Sequence, residues 1–247
     1  MNVSRSVSRL FLAAYFVSLA ATAQQAPETK EPYEPIEGQA GKDVVWVPTP
    51  LVLVEKMLDM ARVTPRDFVM DLGSGDGRNI IAAAKRGARA LGVEYNPDMV
   101  ELSRRNAARE GVADKAQFVQ GDMYEADLSQ ATVLALFLLT ENLNRLVPRF
   151  LEMKPGSRIV VNGFEIDDWK FDETGRSEGD CMSWCTAYLY MDRPSKLVLV
   201  RGMAQAAAVA AGADLDRDPE AYYGFVREAA AAYEALVVML PKGTLPT

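Results

Sequence analysis

The chain has 247 residues, 49% hydrophobic and 25% charged, enough to bury a sizeable core in one or two domains. Its net charge of −7 argues against a nucleic-acid partner, whose affinity would rest on cationic neutralisation of phosphates. Histidine is absent and cysteine occurs twice, which excludes a Ser-His-Asp triad, an imidazole base and a zinc site built from Cys and His.

Residues 1–23 carry the pattern of a secretory signal. Arg5 and Arg9 make the positive start, residues 10–21 the apolar core, and Ala21-Thr22-Ala23 the small-x-small cleavage site. The apolar run falls short of the roughly 20 residues of a membrane span, so membrane contact is expected only through an uncleaved segment. The expected location is therefore the periplasm or cell envelope; a cytoplasmic protein follows if the segment is no signal. Residues 24–42, rich in Pro, Glu and Gly, read as a flexible linker.

The main domain is expected over residues 43–202. After an extended stretch at 44–47, Thr49-Pro50 reads as a hydroxyl cap followed by proline in the first helical turn. Leu51, Val54, Met57, Leu58 and Ala61 recur at helical spacing, and Pro65 ends that helix. A short apolar strand at 67–70 then runs into Asp71-Leu72-Gly73-Ser74-Gly75-Asp76-Gly77-Arg78, with strong helix formers behind it. Glycines on a strand-to-helix turn let the backbone turn tightly and approach a ligand outside the strand's carboxyl end. A dinucleotide turn, G-x-G-x-x-G, would need glycine where Arg78 stands.

A second strand at 88–93 ends in Glu94, 21 residues past Gly73, where a carboxylate can accept both hydroxyls of a ribose. Asn96-Pro97 starts a helix through Arg109, and the third strand, 116–119, leads into Gly121-Asp122-Met123. One acid at a strand end is ordinarily a turn former or a cap. Three in succession, Asp71, Glu94 and Asp122, each closing successive strands, are harder to read that way. Residues 131–139 are continuously apolar, as a central parallel strand requires. A helix over 142–153, interrupted or kinked at Pro148, and a fifth strand at 158–161 complete an α/β, Rossmann-like, doubly wound, mainly parallel sheet.

Residues 185–191 and 196–201 read as a hairpin at the sheet edge. Residues 203–247 read as a helical C-terminal extension, packed on the main domain or forming a dimer surface, which leaves the oligomeric state open. Cys181 and Cys185 have two readings. A disulfide requires a turn through 182–184, because one strand would hold their Cα atoms roughly 13 Å apart, and it would suit an exported protein. The other reading is a pair of buried thiols.

The acid-opened G-x-G-x-G turn resembles motif I of the class I S-adenosylmethionine (SAM)-dependent methyltransferases. From Trp46 to Trp169 the chain resembles a group of small enzymes within them. These are archaeal protein-lysine methyltransferases, the mitochondrial enzyme that methylates a lysine of the ATP synthase c subunit, and bacterial relatives with signal peptides. The matching stretches include Val47-Pro48-Thr49-Pro50, Asp71 to Arg78, Gly92-Val93-Glu94, Phe137-Leu138-Leu139-Thr140, Lys154-Pro155-Gly156-Ser157-Arg158, Gly163-Phe164 and Asp168-Trp169. The resemblance implies the class I fold and methyl transfer from SAM, most simply to a protein lysine. It implies SAM held by Asp71, Gly73, Gly75, Gly77, Glu94, Asp122 and Met123, with Asp122 taking the adenine amino group.

For the acceptor amine the candidates are Thr140, Asn142 and Asn162, with Glu141, Glu165, Asp167 and Asp168 beside them. Two departures from the related pattern fall on the acceptor side. Leu143 stands where an asparagine is usual, and Asn162-Gly163 replaces a Ser-His or Ser-Asn pair. The acceptor is therefore a protein lysine or a small molecule. Rival readings are a non-catalytic SAM-fold binding protein of the cell envelope, since SAM is made in the cytoplasm, and a dehydrogenase that binds NAD.

Overall fold

In the computed structural model, which describes residues 33–179, 181, 183–191, 203, 206, 207, 211, 224–229 and 232, strands and helices alternate as the sequence implies. They are α1 (Leu51–Met60), β1 (Phe68–Leu72), α2 (Arg78–Lys85), β2 (Arg89–Glu94), α3 (Pro97–Arg109) and β3 (Ala116–Gln120). A single 3-10 turn, Met123–Glu125, precedes β4 (Val133–Leu136), α4 (Thr140–Phe150), β5 (Arg158–Asn162), β6 (Glu173–Arg176) and β7 (Thr186–Met191). The seven strands form one sheet in the order β3-β2-β1-β4-β5-β7-β6. The first five are parallel, and β7 runs antiparallel to both β5 and β6. Strand order reverses between β1 and β4, and a crevice opens at the carboxyl ends of strands at such a point.

Alternation along the strands divides the core into two layers. Val69, Val133 and Ala135 face α1 and α2, where Leu53, Met57, Ile80 and Ala83 are fully buried. Met70, Leu72, Leu134 and Leu136 face α4, against Leu143, Leu146 and Phe150. Both faces of β1 and β4 are thus covered, as the unbroken apolar sequence of β4 requires. Asp67 ties the bottom of this arrangement together. Its carboxylate accepts from Thr64 N–H at 2.7 Å and from the Thr132 hydroxyl at 2.8 Å, and it pairs with Arg158 at the start of β5.

Several local expectations are corrected. Thr49 does not cap α1; Pro50 holds that position without a side-chain bond, and the Thr49 hydroxyl faces Asn162 instead. Pro148 lies within a continuous α4 and so marks no second start. The edge partner of β7 is β6, whose Glu-Thr-Gly-Arg sequence has no apolar period to announce it. The expected partner at 196–201 lies outside the described residues, as do the signal segment 1–23 and residues 24–32.

Residues 33–42, composed like a linker, are hydrogen-bonded structure. Gly38 N–H donates to Trp46 O at 2.8 Å, Trp46 N–H returns to Gln39 O at 2.9 Å, and Ala40 bridges Val45. Gly38 has φ +82° at the turn, a conformation that glycine adopts without strain. In the C-terminal region positions 203, 206, 207, 224–229 and 232 are helical, with Val226 and Ala229 buried in the α4 layer. Cys181 and Cys185 are joined by a disulfide with Cα atoms 5.1 Å apart, across a turn closed by Trp184 N–H donating to Cys181 O. Among the described residues no helix is long and apolar enough to cross a membrane.

Candidate active site

The glycine turn between β1 and α2 is held rigidly from three sides. The Ser103 hydroxyl of α3 donates to Gly75 O at 2.7 Å, and Asn106 Nδ2 donates to Asp76 O at 2.9 Å. Arg78 grips the Asp76 carboxylate through Nε and a terminal nitrogen while its other arm reaches Thr49 O at 2.7 Å. Gly73, Gly75 and Gly77 all have positive φ, at 78°, 56° and 84°. Their surroundings differ. A Cβ on Gly75 would lie 2.7 Å from Trp46 Nε1, so the turn passes directly beneath the indole. A Cβ on Gly77 would strike the Phe118 ring at 2.7 Å, and Gly77 does not line the cleft. At Gly77 the missing Cβ lets the turn pack directly against Phe118 and Ser103.

The cleft above this turn has a volume of about 110 Å³. Asp71, Gly73, Gly75, Glu94, Asp122 and Met123, all singled out in the sequence, line it. Glu94 accepts from Gly75 N–H and from Asn96 N–H, both at 2.9 Å, one on each carboxylate oxygen. A carboxylate has about four lone-pair sites, so each oxygen keeps one for a ligand hydroxyl. Asp122 accepts from Tyr124 N–H at 3.0 Å and pairs with Lys42 at 3.0 Å. Burial pushes the Asp122 carboxyl up, but the Tyr124 N–H and the Lys42 ammonium outweigh it and hold the group below its ordinary range. Met99 and Met123 give the cleft apolar surfaces.

Asp71 is different. It is 3% exposed, and Oδ2 accepts from Asn79 Nδ2 at 3.0 Å while Oδ1 has no hydrogen-bond partner. Burial raises its pKa well above the ordinary value; the Asn79 bond opposes this, and the nearby Glu94 and Asp76 charges add to it. An orphaned carboxylate oxygen beside a cleft is a site for a cationic or hydrogen-donating group. SAM fits these residues: a cation, a ribose and an adenine would find Asp71, Glu94 and Asp122 in the order that the strand ends set.

The acceptor candidates do not converge. Thr140 and Asn142 line a second cavity with Asp43, Tyr124, Arg145 and Asp167. The Thr140 hydroxyl donates to Glu165 O at 3.0 Å, and Asn142 Nδ2 donates to the Tyr124 hydroxyl at 2.8 Å. Asn162 is fully buried; its Nδ2 donates to the Thr49 hydroxyl at 3.3 Å, and it lines neither cavity. Sequence reasoning missed Lys42, Trp46, Asn79 and Tyr95, all of which line the cleft. The signal available was Asn79, the second residue of the helix behind an acid that has to be held inside the protein. Among the described residues no cluster of three or more Cys, Asp or Glu is placed to hold a metal.

Residues 71–173 match the ANTKMT methyltransferase domain family. A protein-lysine N-methyltransferase of Saccharolobus islandicus is 42% identical over 151 residues, which is 60% of this chain and 93% of the archaeal protein. The Mus musculus enzyme named as the lysine N-methyltransferase of the ATP synthase c-subunit, 35% identical, matches over 52% of each chain, so this chain spans about half the length of that relative. Among solved structures, an RNA methyltransferase from Salinibacter ruber in complex with S-adenosyl-L-homocysteine (SAH) is 41% identical. It covers 60% of this chain and 95% of its own, with a TM-score of 0.56.

Proposed function

Since the chain belongs to the protein-lysine N-methyltransferase family, a group of SAM-dependent enzymes of the class I fold, we propose that it methylates the side-chain amine of a lysine in a protein. The observation that carries this is the agreement of 42% identity across nearly the whole archaeal lysine enzyme with a site that has no histidine base. SAM, when bound, supplies a methyl already activated on a sulfonium. The chain's residues then have to align the amine, exclude water and leave its lone pair free. An amine needs no imidazole to lose its proton there, because desolvation and a neighbouring positive charge both lower an ammonium pKa. Glu94 and Asp122 hold the nucleoside end, Asp71 the cationic end. Thr140 and Asn142, at the start of α4, stand on the acceptor side, where they position the protein substrate rather than the methyl.

RNA as the acceptor is the second reading, and the name of the Salinibacter ruber structure favours it. The net charge of −7 opposes it, since a polyanion would be repelled by such a surface. Label transfer from tritiated SAM to a native envelope fraction, followed by protease or ribonuclease digestion, separates the two. Label released by protease supports the lysine reading; label released by ribonuclease overturns it.

We infer export as well, from the signal pattern at 1–23. The Cys181–Cys185 disulfide supports this reading, because such bonds persist in oxidising compartments.

A further inference from the structure

Three aromatic rings meet at the carboxyl ends of β4 and β5. Phe137 and Phe164 stack with centroids 6.2 Å apart, and Trp184 sits edge-on to Phe137 at 5.1 Å and tilted against Phe164 at 5.5 Å. All three rings are only half-buried, unlike the aromatics of the core, and Phe137 also lines the cofactor cleft. Trp184 reaches this place from the disulfide loop. Its own N–H closes the turn onto Cys181, and both cysteines are buried. Gly163 makes the room: with φ +72°, its missing Cβ would lie 3.0 Å from Trp184 Cε3. A side chain there would push the indole away.

We propose that Phe137, Phe164 and Trp184 form the wall of the acceptor channel that receives the substrate lysine, and that the Cys181–Cys185 bond holds Trp184 in that wall. The proposal rests on the lysine reading above. A lysine side chain is an apolar four-carbon stem with a cationic head, and aromatic faces suit both parts. The wall presents ring faces instead of hydrogen-bond acceptors. It desolvates the ammonium, which favours loss of its proton, and leaves the resulting lone pair free for the methyl. The exposed Glu165, next in sequence to Phe164, places a negative charge at the approach for the incoming cation. A nucleobase could stack on the same rings, but the chain's net charge disfavours an RNA strand there.

The test uses full-length protein and poly-L-lysine as the acceptor probe, with calorimetric SAH binding as the control for folding. Trp184→Leu, Trp184→Phe and the pair Cys181→Ser with Cys185→Ser are compared with wild type in label transfer from SAM. The expected result is a KM for poly-L-lysine raised about tenfold by Trp184→Leu and by the serine pair, with Trp184→Phe close to wild type. SAH affinity should stay within about twofold, since Trp184 does not line the cofactor cleft. An unchanged KM in Trp184→Leu, beside normal transfer and SAH binding, overturns the aromatic wall and leaves the lysine reading standing. A normal KM in the serine pair overturns the role of the disulfide alone. Wild type that binds SAH yet methylates no lysine overturns the lysine reading, and this proposal falls with it. Should Trp184→Leu lose SAH binding through misfolding, Phe164→Leu takes its place, with the same raised KM expected and an unchanged KM overturning the wall.

Discussion

Lys42 Nζ stands 3.0 Å from Oδ2 of Asp122, so a residue ahead of the first helix is ion-paired to the acid that follows the third strand. The same ammonium faces the rings of Tyr95 and Tyr124, at 5.5 and 5.8 Å from their centroids. Residues 39–48 therefore close the end of the cleft assigned to adenine. Asp122→Asn keeps the bond to Tyr124 N–H, since an amide oxygen caps as well as a carboxylate. It loses the charged acceptor for the adenine amino group and should weaken SAH binding by about 1–2 kcal/mol. Lys42→Met should leave the melting temperature unchanged, because an exposed pair contributes little. Calorimetry and thermal melts check both; full SAH affinity in Asp122→Asn would remove the adenine assignment.

Glu94 carries more than one duty, which makes it the costliest of the three acids to change. Glu94→Ala removes the ribose acceptor and also strands the N–H groups of Gly75 and Asn96. SAM affinity should fall by about 1–3 kcal/mol. Glu94→Gln, isosteric but with one donor face, should fall between wild type and alanine. Equal affinities across the series would contradict the ribose role.

The raised pKa of Asp71 gives binding a pH dependence whose sign is fixed. Without ligand, burial keeps the carboxyl protonated above the ordinary aspartate value of about 3.9. A cation beside Oδ1 favours the carboxylate, so binding expels a proton between that ordinary value and the raised one. SAM affinity should therefore rise with pH through this window and level off above it. Asp71→Asn should abolish the slope while keeping a side-chain partner for Asn79. Titration calorimetry in buffers of different ionisation enthalpy detects the released proton; an identical slope in the variant would refute the assignment.

Asp67 sets the acid limit of stability. Burial pushes its pKa up, but the Thr64 N–H, the Thr132 and Thr64 hydroxyls and Arg158 together bring it below the ordinary value. A lowered folded pKa contributes stability that is complete above the unfolded value and lost as pH falls through the folded one. Asp67→Asn should cost about 3 kcal/mol at neutral pH by leaving Arg158 without its carboxylate. It should also flatten the acid limb of the stability profile. Urea melts across the acid range measure both effects.

Export has its own readout. Protein from the native host should begin at Gln24, and its two cysteines should resist alkylation until reduced. Intact mass before and after reductant decides this. A cytosolic species that starts at Met1 and labels freely at Cys181 and Cys185 would contradict it.

The cofactor half of the site was legible because its chemistry sits in sequence punctuation. Gly73, Gly75, Glu94 and Asp122 each stand at or just past the carboxyl end of a strand, and the parallel sheet brings such points to one edge. The rest depends on contacts between distant segments, which leave no local trace. Trp46 lies over Gly75 only because residues 36–46 fold back on themselves. Thr49, a plausible cap by position, is drawn to Asn162 across 113 residues. β6 exists because β7 offers it a ladder, and Trp184 reaches Phe137 because a disulfide turns the chain.

Incubating the purified protein with methyl-labelled SAM and a native cell-envelope fraction, then locating the label by tandem mass spectrometry, tests the central claim most directly. The account predicts label on the Nε of a lysine within a protein, and less of it at limiting SAM when Glu94→Ala enzyme is used. Label on RNA would contradict it, as would tight SAH binding with no methyl transferred to any acceptor.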